Sequence, residues 1–247
     1  MTLPDSKAGR LWLHSIKRTK SAEMQLPQVV RWKRYIPIVQ CRKQNSLGHS
    51  YTISLLGTHV VKLLKPYVTL DVGLLLTALM IHDLGEAIRF GAGEDVRWHQ
   101  KTCGRDLEEY EFFTAHFSDL PPETFSEYQK AFLLQFASEG KDASCFPAAD
   151  RAIIADLQKN NALEIAAFLA IERWDYVLYG LGNYEEQGTP LLLLEVLNSH
   201  MATLDKLVAQ LPGFGEEIWT PEIRSWCAEL VASNPQNLER AKELLRG

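Results

Sequence analysis

The sequence predicts an all-α protein, and three observations support that prediction. Apolar residues recur at helical spacing along nearly the whole chain, without a convincing run of alternating apolar and polar residues. β-Branched residues, which are enriched in strands, never dominate a segment. Hydrophobic residues make up 46% of the 247 residues, which is enough for one sizeable core and excludes a disordered chain.

The order of the elements follows from prolines and helix caps. A weakly patterned leader covers residues 1–26, and Pro27 is predicted to open a first helix. Pro37 should end this helix, because its ring removes a hydrogen-bond donor and crowds the preceding turn. A second helix is expected from Ser46, as its N-terminal cap, to Lys65.

The third helix should be central to the core. It is predicted to start near Thr69 or Asp71 and to run through LLLTALMIHDLGEAI, which is apolar on nearly every side. Gly91 ends it in a polar loop. Further helices are expected at residues 103–118, 122–137, 147–158, 161–181 and 189–211, and then from Thr220 and from Pro235.

We expect one domain, because nothing in the chain resembles a linker or a repeat. Residues 27–185 would form the core, and residues 186–247 a C-terminal helical extension of the same domain.

Composition and charge exclude several functional classes. The net charge of −5 makes general nucleic-acid binding a poor prediction. The longest apolar stretches are too short to span a bilayer, so we expect no membrane association, and the N-terminus does not resemble a signal peptide. The cysteines form no CxxC pair, which argues against a disulfide framework and fits a reducing cytoplasm. They are Cys41, Cys103, Cys145 and Cys227.

The candidate chemistry centres on His82, Asp83 and Glu86, in the sequence IHDLGE. Charged residues are rarely buried in an apolar helix unless they are paired or bind a metal. The pattern admits two interpretations: a metal or catalytic site, or a hydrogen bond between Asp83 and His82 with Glu86 in solvent. His49, at the start of the second helix, could add another ligand. Imidazole and carboxylate ligands together suit divalent manganese, iron, cobalt, nickel, zinc or magnesium.

These residues resemble a known family. His49, the His82-Asp83 pair on an apolar helix and a distant Asp are similar to the HD-domain metal-dependent phosphohydrolases, over about residues 27–185. Arg31-Trp32 upstream, and Glu86 downstream, are most similar to the 5′-deoxynucleotidase branch. The resemblance implies an HD-domain helical bundle that holds one divalent metal ion and forms a homodimer. It also implies hydrolysis of the phosphomonoester of (deoxy)nucleoside 5′-monophosphates.

The resemblance also implies a set of metal ligands. His49, His82 and Asp83 match the first three, and the fourth should be an Asp on a later helix. Asp175, in AIERWDYVLYGLGNYEEQ, matches best, and Asp150, in PAADRAII, is the alternative.

Other positions match the family's catalytic and substrate-binding residues. Glu86 matches an acid–base or water-orienting carboxylate, and Asp95 matches a loop acid for which Glu94 competes. Arg31 would bind the substrate phosphate and Trp32 would line the sugar or base; from the residues alone, Trp32 could instead pack in the core with Arg31 in solvent.

The chain departs from the branch in one place. Gly48 stands where the branch usually has Glu before its first metal-binding His, which affects the substrate more than the metal site. Two alternatives stay open: hydrolysis of another nucleotide, such as a triphosphate or a cyclic dinucleotide, and a non-catalytic module that binds a metal or a nucleotide.

Overall fold

The computed structural model describes residues 6, 25–32, 44–89, 102–140 and 142–246, and it confirms the predicted all-α class. The α-helices of these residues are α1 (Ser46–Leu64), α2 (Val72–Ile81), α3 (Cys103–Phe117), α4 (Pro122–Glu139), α5 (Ala148–Asn160), α6 (Ala162–Gln187), α7 (Leu191–Gln210), α8 (Phe214–Glu217), α9 (Pro221–Ser233) and α10 (Pro235–Arg246). Two 3-10 helices cover Leu26–Gln28 and His82–Arg89, and two short strands, β1 (Val30–Arg31) and β2 (Gln44–Asn45), pair antiparallel.

The segment that opens with Pro27 does not form the predicted helix. It makes a single 3-10 turn and then enters β1. Val29 has an extended backbone with ψ of 104°, and Trp32 has a φ of 59° in the left-handed region, so neither residue continues an α-helix. The helix prediction is therefore wrong for this segment, and residues 33–37 lie outside the described part of the chain.

Side-chain caps set the start of α1 and α2. The Asn45 side chain accepts a hydrogen bond from the Gly48 amide at 2.7 Å, so Asn45 caps α1 in place of the predicted Ser46. Asp71 caps α2 by accepting from the Leu74 amide at 3.0 Å. Ser46 is thereby the first residue of α1, and its hydroxyl is available for a different contact.

The chain changes from α to 3-10 geometry at His82. The sequence predicted one continuous helix, but α2 ends at Ile81 and residues His82–Arg89 form a 3-10 helix. With three residues per turn, side chains three apart lie on the same side of a 3-10 helix. Asp83 and Glu86 are therefore aligned.

Gly85 allows α3 to pack directly against this 3-10 helix. A Cβ atom at Gly85 would lie 2.6 Å from the Glu109 carbonyl oxygen and 2.8 Å from the Glu109 Cβ. Both neighbours belong to the body of α3, so they cannot rotate away as the end of a side chain could.

We therefore expect Gly85→Ala to lower the free energy of unfolding by about 1–3 kcal/mol, the usual cost of overpacking. Urea denaturation measures this change. Gly182→Ala is the matched control, because nothing lies within 4 Å of its added Cβ in α6, and it should stabilise the helix by about 0.5–1 kcal/mol. Stabilisation by both substitutions would show that α3 moves away freely.

Helix α6 lies at the centre of the bundle and contacts α1, α2, α4, α5 and α7. Helix α7 packs along it: a Cβ at Gly180 would lie only 3.1 Å from the Leu193 Cα, and the residues from Leu191 to Leu194 are all buried. The predicted start of the C-terminal extension, at residue 186, falls within the last turn of α6. The extension therefore contributes directly to the core.

The sequence argued against disulfides, but the structure contains one among the described residues. Cys103 and Cys145 form a disulfide, with a Cα–Cα distance of 5.9 Å, that joins the start of α3 to the turn before α5. The sequence could not suggest this pair, because packing of α3, α4 and α5 brings together residues that are 42 positions apart. Cys227 is buried with a free thiol, and Cys41 lies outside the described residues.

Among the described residues, no helix combines the length and the apolar character needed to cross a membrane.

Candidate metal centre

Six buried polar residues from four parts of the chain meet between α1, α6 and the His82–Arg89 helix. Five of them were predicted as site residues, and Glu172 was not. They are Arg31 of β1, His49 of α1, His82 and Asp83 of the 3-10 helix, and Glu172 and Asp175 of α6.

The two histidines direct their Nε2 atoms towards the same carboxylates. His82 Nε2 lies 2.9 Å from Glu172 Oε1 and 3.1 Å from Asp83 Oδ1. His49 Nε2 lies 3.3 Å from Glu172 Oε1 and 3.7 Å from Asp83 Oδ2. We call the space between these four side chains the candidate metal centre.

The donor set of this centre fits a divalent ion. One potential ligand atom from each of His49, His82 and Glu172 lies within 4.8 Å of the others. An ion about 2.0–2.2 Å from nitrogen and oxygen ligands requires such spacing. Moreover, His82 is buried, and its Nε2 faces two carboxylate oxygens at 2.9 and 3.1 Å. Imidazole nitrogens and carboxylate oxygens that converge in this way form a donor set that suits a divalent ion.

The other ring nitrogens of the histidines are held from outside the centre. His49 Nδ1 lies 3.0 Å from Asp175 Oδ2, and His82 Nδ1 lies 2.9 Å from the Leu79 carbonyl oxygen. Such contacts fix the orientation of the ring, so that the opposite nitrogen faces the centre.

Asp175 and Glu172 therefore have different positions relative to His49. Asp175, predicted as the fourth ligand, contacts the ring nitrogen that faces away from the centre. Glu172, one turn earlier on the same face of α6, reaches into the centre. The signal that could have identified Glu172 is its spacing of three residues before Asp175, which puts two carboxylates on one side of the helix.

Asp150, the alternative to Asp175, belongs to a separate hydrogen-bond network. Its Oδ1 accepts from the Tyr110 hydroxyl at 2.6 Å and from Gln129 Nε2 at 2.9 Å. Burial, together with the bond to Asp150, raises the pKa of the Tyr110 hydroxyl, which therefore remains a donor.

Glu86 is buried and bound to the start of α1. Only 2% of the residue is exposed, and its Oε2 accepts from the Ser46 hydroxyl at 2.6 Å. The interpretation in which Glu86 lies in solvent is therefore excluded. Asp95 and Glu94, the two candidates for the loop acid, lie outside the described residues.

Arg31 and Trp32 line the side of the centre nearest to β1. Arg31 is 6% exposed, which excludes the interpretation in which it lies in solvent. Its Nη1 donates to Asp83 Oδ2 at 2.8 Å and its Nη2 to the Tyr176 hydroxyl at 3.3 Å. Trp32 stacks on Tyr179 with a ring separation of 5.1 Å. The left-handed backbone of Trp32 costs about 1–3 kcal/mol of conformational strain, and residues strained in this way cluster at functional sites.

The charged groups at the centre shift one another's pKa values. Burial lowers the pKa of His82, but the neighbouring Asp83 and Glu172 carboxylates outweigh burial and hold this pKa well above its usual value. Burial conversely raises the pKa values of Asp83 and Glu172, but the cationic neighbours keep both pKa values low. A divalent ion would replace the protons of the histidines, so its affinity should rise with pH.

His200, behind the centre on α7, should make the stability depend on pH. Burial, and then the charge of Arg173, lower the pKa of His200 to about 3. The imidazole of His200 takes up a proton near pH 6.5 in the unfolded chain but only near pH 3 in the folded protein. The free energy of unfolding should therefore fall as the pH decreases from 6.5 towards 3. The expected slope from this residue is at most about 1.4 kcal/mol per pH unit.

Urea denaturation at pH 7 and at pH 4.5 tests this expectation. The His200→Gln protein should lose less stability between the two values than the wild type, whereas the exposed control His59→Gln should behave like the wild type. An unchanged pH dependence in His200→Gln would contradict the assignment.

Comparisons with known proteins support the fold. No protein-family model matches the chain, and no curated protein matches it. The chain is similar to the crystal structure of a predicted metal-dependent phosphohydrolase from Magnetospirillum magnetotacticum MS-1. The two are 15% identical, the alignment covers 95% of each chain, and the TM-score is 0.52. The likeness confirms the predicted all-α helical bundle over nearly the whole chain.

Proposed function

We propose that this chain is a metal-dependent phosphohydrolase. The observation that carries the proposal is the convergence of buried donor atoms. His82 Nε2 lies 2.9 Å from Glu172 Oε1 and 3.1 Å from Asp83 Oδ1, and one ligand atom from each of His49, His82 and Glu172 lies within 4.8 Å of the others. His49 Nε2 approaches the same oxygen of Glu172. The solved structure with a similar fold is that of a predicted metal-dependent phosphohydrolase, which supports the class of reaction.

We propose His49, His82, Asp83 and Glu172 as the ligands of one divalent ion. Two imidazole nitrogens and two carboxylates suit manganese, iron, cobalt, nickel, zinc or magnesium. Such an ion, when bound, polarises a phosphoryl oxygen and acidifies a water molecule. Asp175, predicted as a ligand, has in this proposal the role of orienting His49, to which it is bound at 3.0 Å.

The remaining side chains bind the substrate and move protons. Arg31 binds the substrate phosphate through its planar fork, in exchange for its contacts with Asp83 and Tyr176. Glu86, held by Ser46, orients the attacking water or accepts its proton. Asp95, or Glu94, protonates the oxygen of the leaving alcohol.

The proposed substrates are (deoxy)nucleoside 5′-monophosphates, which would give a nucleoside and inorganic phosphate. The stacked rings of Trp32 and Tyr179 beside Arg31 support this substrate class, because they offer an apolar wall next to a phosphate-binding cation. We also propose a homodimer and a cytoplasmic location. In that reducing compartment the Cys103–Cys145 pair would be reduced to thiols.

Phosphate release from a panel of 5′-nucleoside monophosphates tests the function. The metal-free protein is supplied with Mn²⁺, Co²⁺, Ni²⁺ or Mg²⁺ in turn, and the expected result is release that requires a metal and stops on chelation. A mock preparation from cells that lack this protein, purified in parallel, reports any contaminating phosphatase.

The panel also separates the alternatives. Release from triphosphates or cyclic dinucleotides, but not from monophosphates, would overturn the substrate and keep the class. Folded protein that binds an ion but releases phosphate from no nucleotide would overturn the enzyme in favour of a binding module.

A further inference from the structure

Tyr176 connects a proposed metal ligand with the proposed phosphate-binding residue. It lies on α6 one turn after Glu172, and its hydroxyl donates to Glu172 Oε2 at 3.0 Å. The same hydroxyl accepts from Arg31 Nη2 at 3.3 Å. One oxygen atom thus contacts both groups.

The two carboxylate oxygens of Glu172 have different contacts because Tyr176 donates a hydrogen bond to only one of them. Oε1 lies 2.9 Å from His82 Nε2 and 3.3 Å from His49 Nε2, within the candidate metal centre. Oε2 is turned away and held by Tyr176. A carboxylate can rotate about its last bond, so a donor on Oε2 restricts which oxygen faces an ion.

Packing on several sides fixes the ring of Tyr176. It lies against His49 at 6.2 Å, meets Trp32 edge-on at 5.7 Å, and contacts His200 at 5.3 Å, measured between ring centroids. The guanidinium carbons of Arg31 and Arg173 lie 5.6 and 5.5 Å from the ring centroid. The hydroxyl therefore has a defined position from which to hold its partners.

We propose that Tyr176 is a positioning residue, which holds Glu172 in a one-oxygen orientation towards the ion and links that carboxylate to Arg31. This inference rests on the metal site of the proposed function. The Tyr176 hydroxyl should therefore strengthen metal binding indirectly, through its hydrogen bond to Glu172.

Titration of the metal-free protein with Mn²⁺ tests the proposal, because it measures metal affinity without any assay of activity. Tyr176→Phe keeps the ring and removes the hydroxyl, and it should weaken Mn²⁺ binding by about 10–100-fold, as the loss of other groups that orient a ligand does. Tyr110→Phe is the matched control: it also removes a buried hydroxyl that donates to a carboxylate, at Asp150, and should leave Mn²⁺ affinity unchanged.

A double-mutant cycle shows whether the effect passes through Glu172. Glu172→Asp keeps a carboxylate but shortens the side chain, so it cannot span both the ion and Tyr176. In this background Tyr176→Phe should change Mn²⁺ affinity by less than about twofold. An equal loss in both backgrounds would indicate a general structural effect and overturn the proposal.

The remaining outcomes separate this inference from the proposed function. Wild-type protein that binds Mn²⁺, with a Tyr176→Phe variant that binds it equally well, would overturn the role of Tyr176 and leave the metal site standing. Folded wild-type protein that binds none of Mn²⁺, Co²⁺, Ni²⁺ and Zn²⁺ would overturn both.

Discussion

Alanine at position 82 is expected to reduce metal-dependent phosphate release by more than about 100-fold, beyond the range typical of losing a group that merely orients a ligand. His82 offers the centre a buried ring nitrogen that faces two carboxylates, and alanine cannot replace it. Because the proposed ion polarises the phosphoryl oxygen and acidifies the water, weaker binding of the ion should remove most of the rate. Steady-state phosphate release at several metal concentrations measures the effect.

The control for His82→Ala is His59→Ala, which removes an exposed histidine of α1. It should leave turnover unchanged. The far-ultraviolet circular dichroism of His82→Ala should match that of the wild type, because most of the core lies outside the centre. A correctly folded His82→Ala protein with wild-type turnover would rule out a catalytic metal at this position.

The second large effect is expected at Glu172. Glu172→Ala should weaken Mn²⁺ binding by more than about 100-fold, because it removes the carboxylate that faces both histidines. Asp175→Asn should weaken it by only about 10–100-fold, the typical cost of losing a group that orients a ligand. Calorimetric titration with Mn²⁺ measures both affinities under the same conditions.

Comparison of the two losses of Mn²⁺ affinity, in Glu172→Ala and in Asp175→Asn, shows which carboxylate binds the ion. Glu185→Ala, an exposed substitution on the same helix, should have no effect and controls for changes in the net charge. A larger loss at Asp175 than at Glu172 would restore Asp175 as the fourth ligand and assign Glu172 the supporting role.

Most of the helices could be predicted because their boundaries depend on local chemistry. Pro122 and Pro221 each begin a helix, and the chain leaves α1 just before Pro66, since proline lacks the donor that a helix interior requires. The helix from Pro27 failed because Val29 and Val30 fit extended backbone as readily as a helix. Pairing of β1 with β2, a non-local contact, decided between the two.

The change to 3-10 geometry at His82 coincides with a contact between distant parts of the chain. The letters IHDLGE continue an apolar helical pattern, and nothing in them requires the chain to tighten. The close approach of α3 at Glu109 to Gly85 belongs to tertiary packing. This contact accompanies the 3-10 geometry of residues His82–Arg89, which aligns Asp83 with Glu86.

The sequence by itself determined the all-α class and which types of side chain meet at the centre. Helical periodicity is local, and a buried cluster of His, Asp and Glu has few stable arrangements other than mutual pairing or a metal. Only the tertiary structure decided that Glu172 reaches the centre while Asp175 holds His49 from behind. Both carboxylates lie on one face of α6, so their roles depend on where α1 and the His82–Arg89 helix pack against that face, and on the extra methylene by which Glu exceeds Asp.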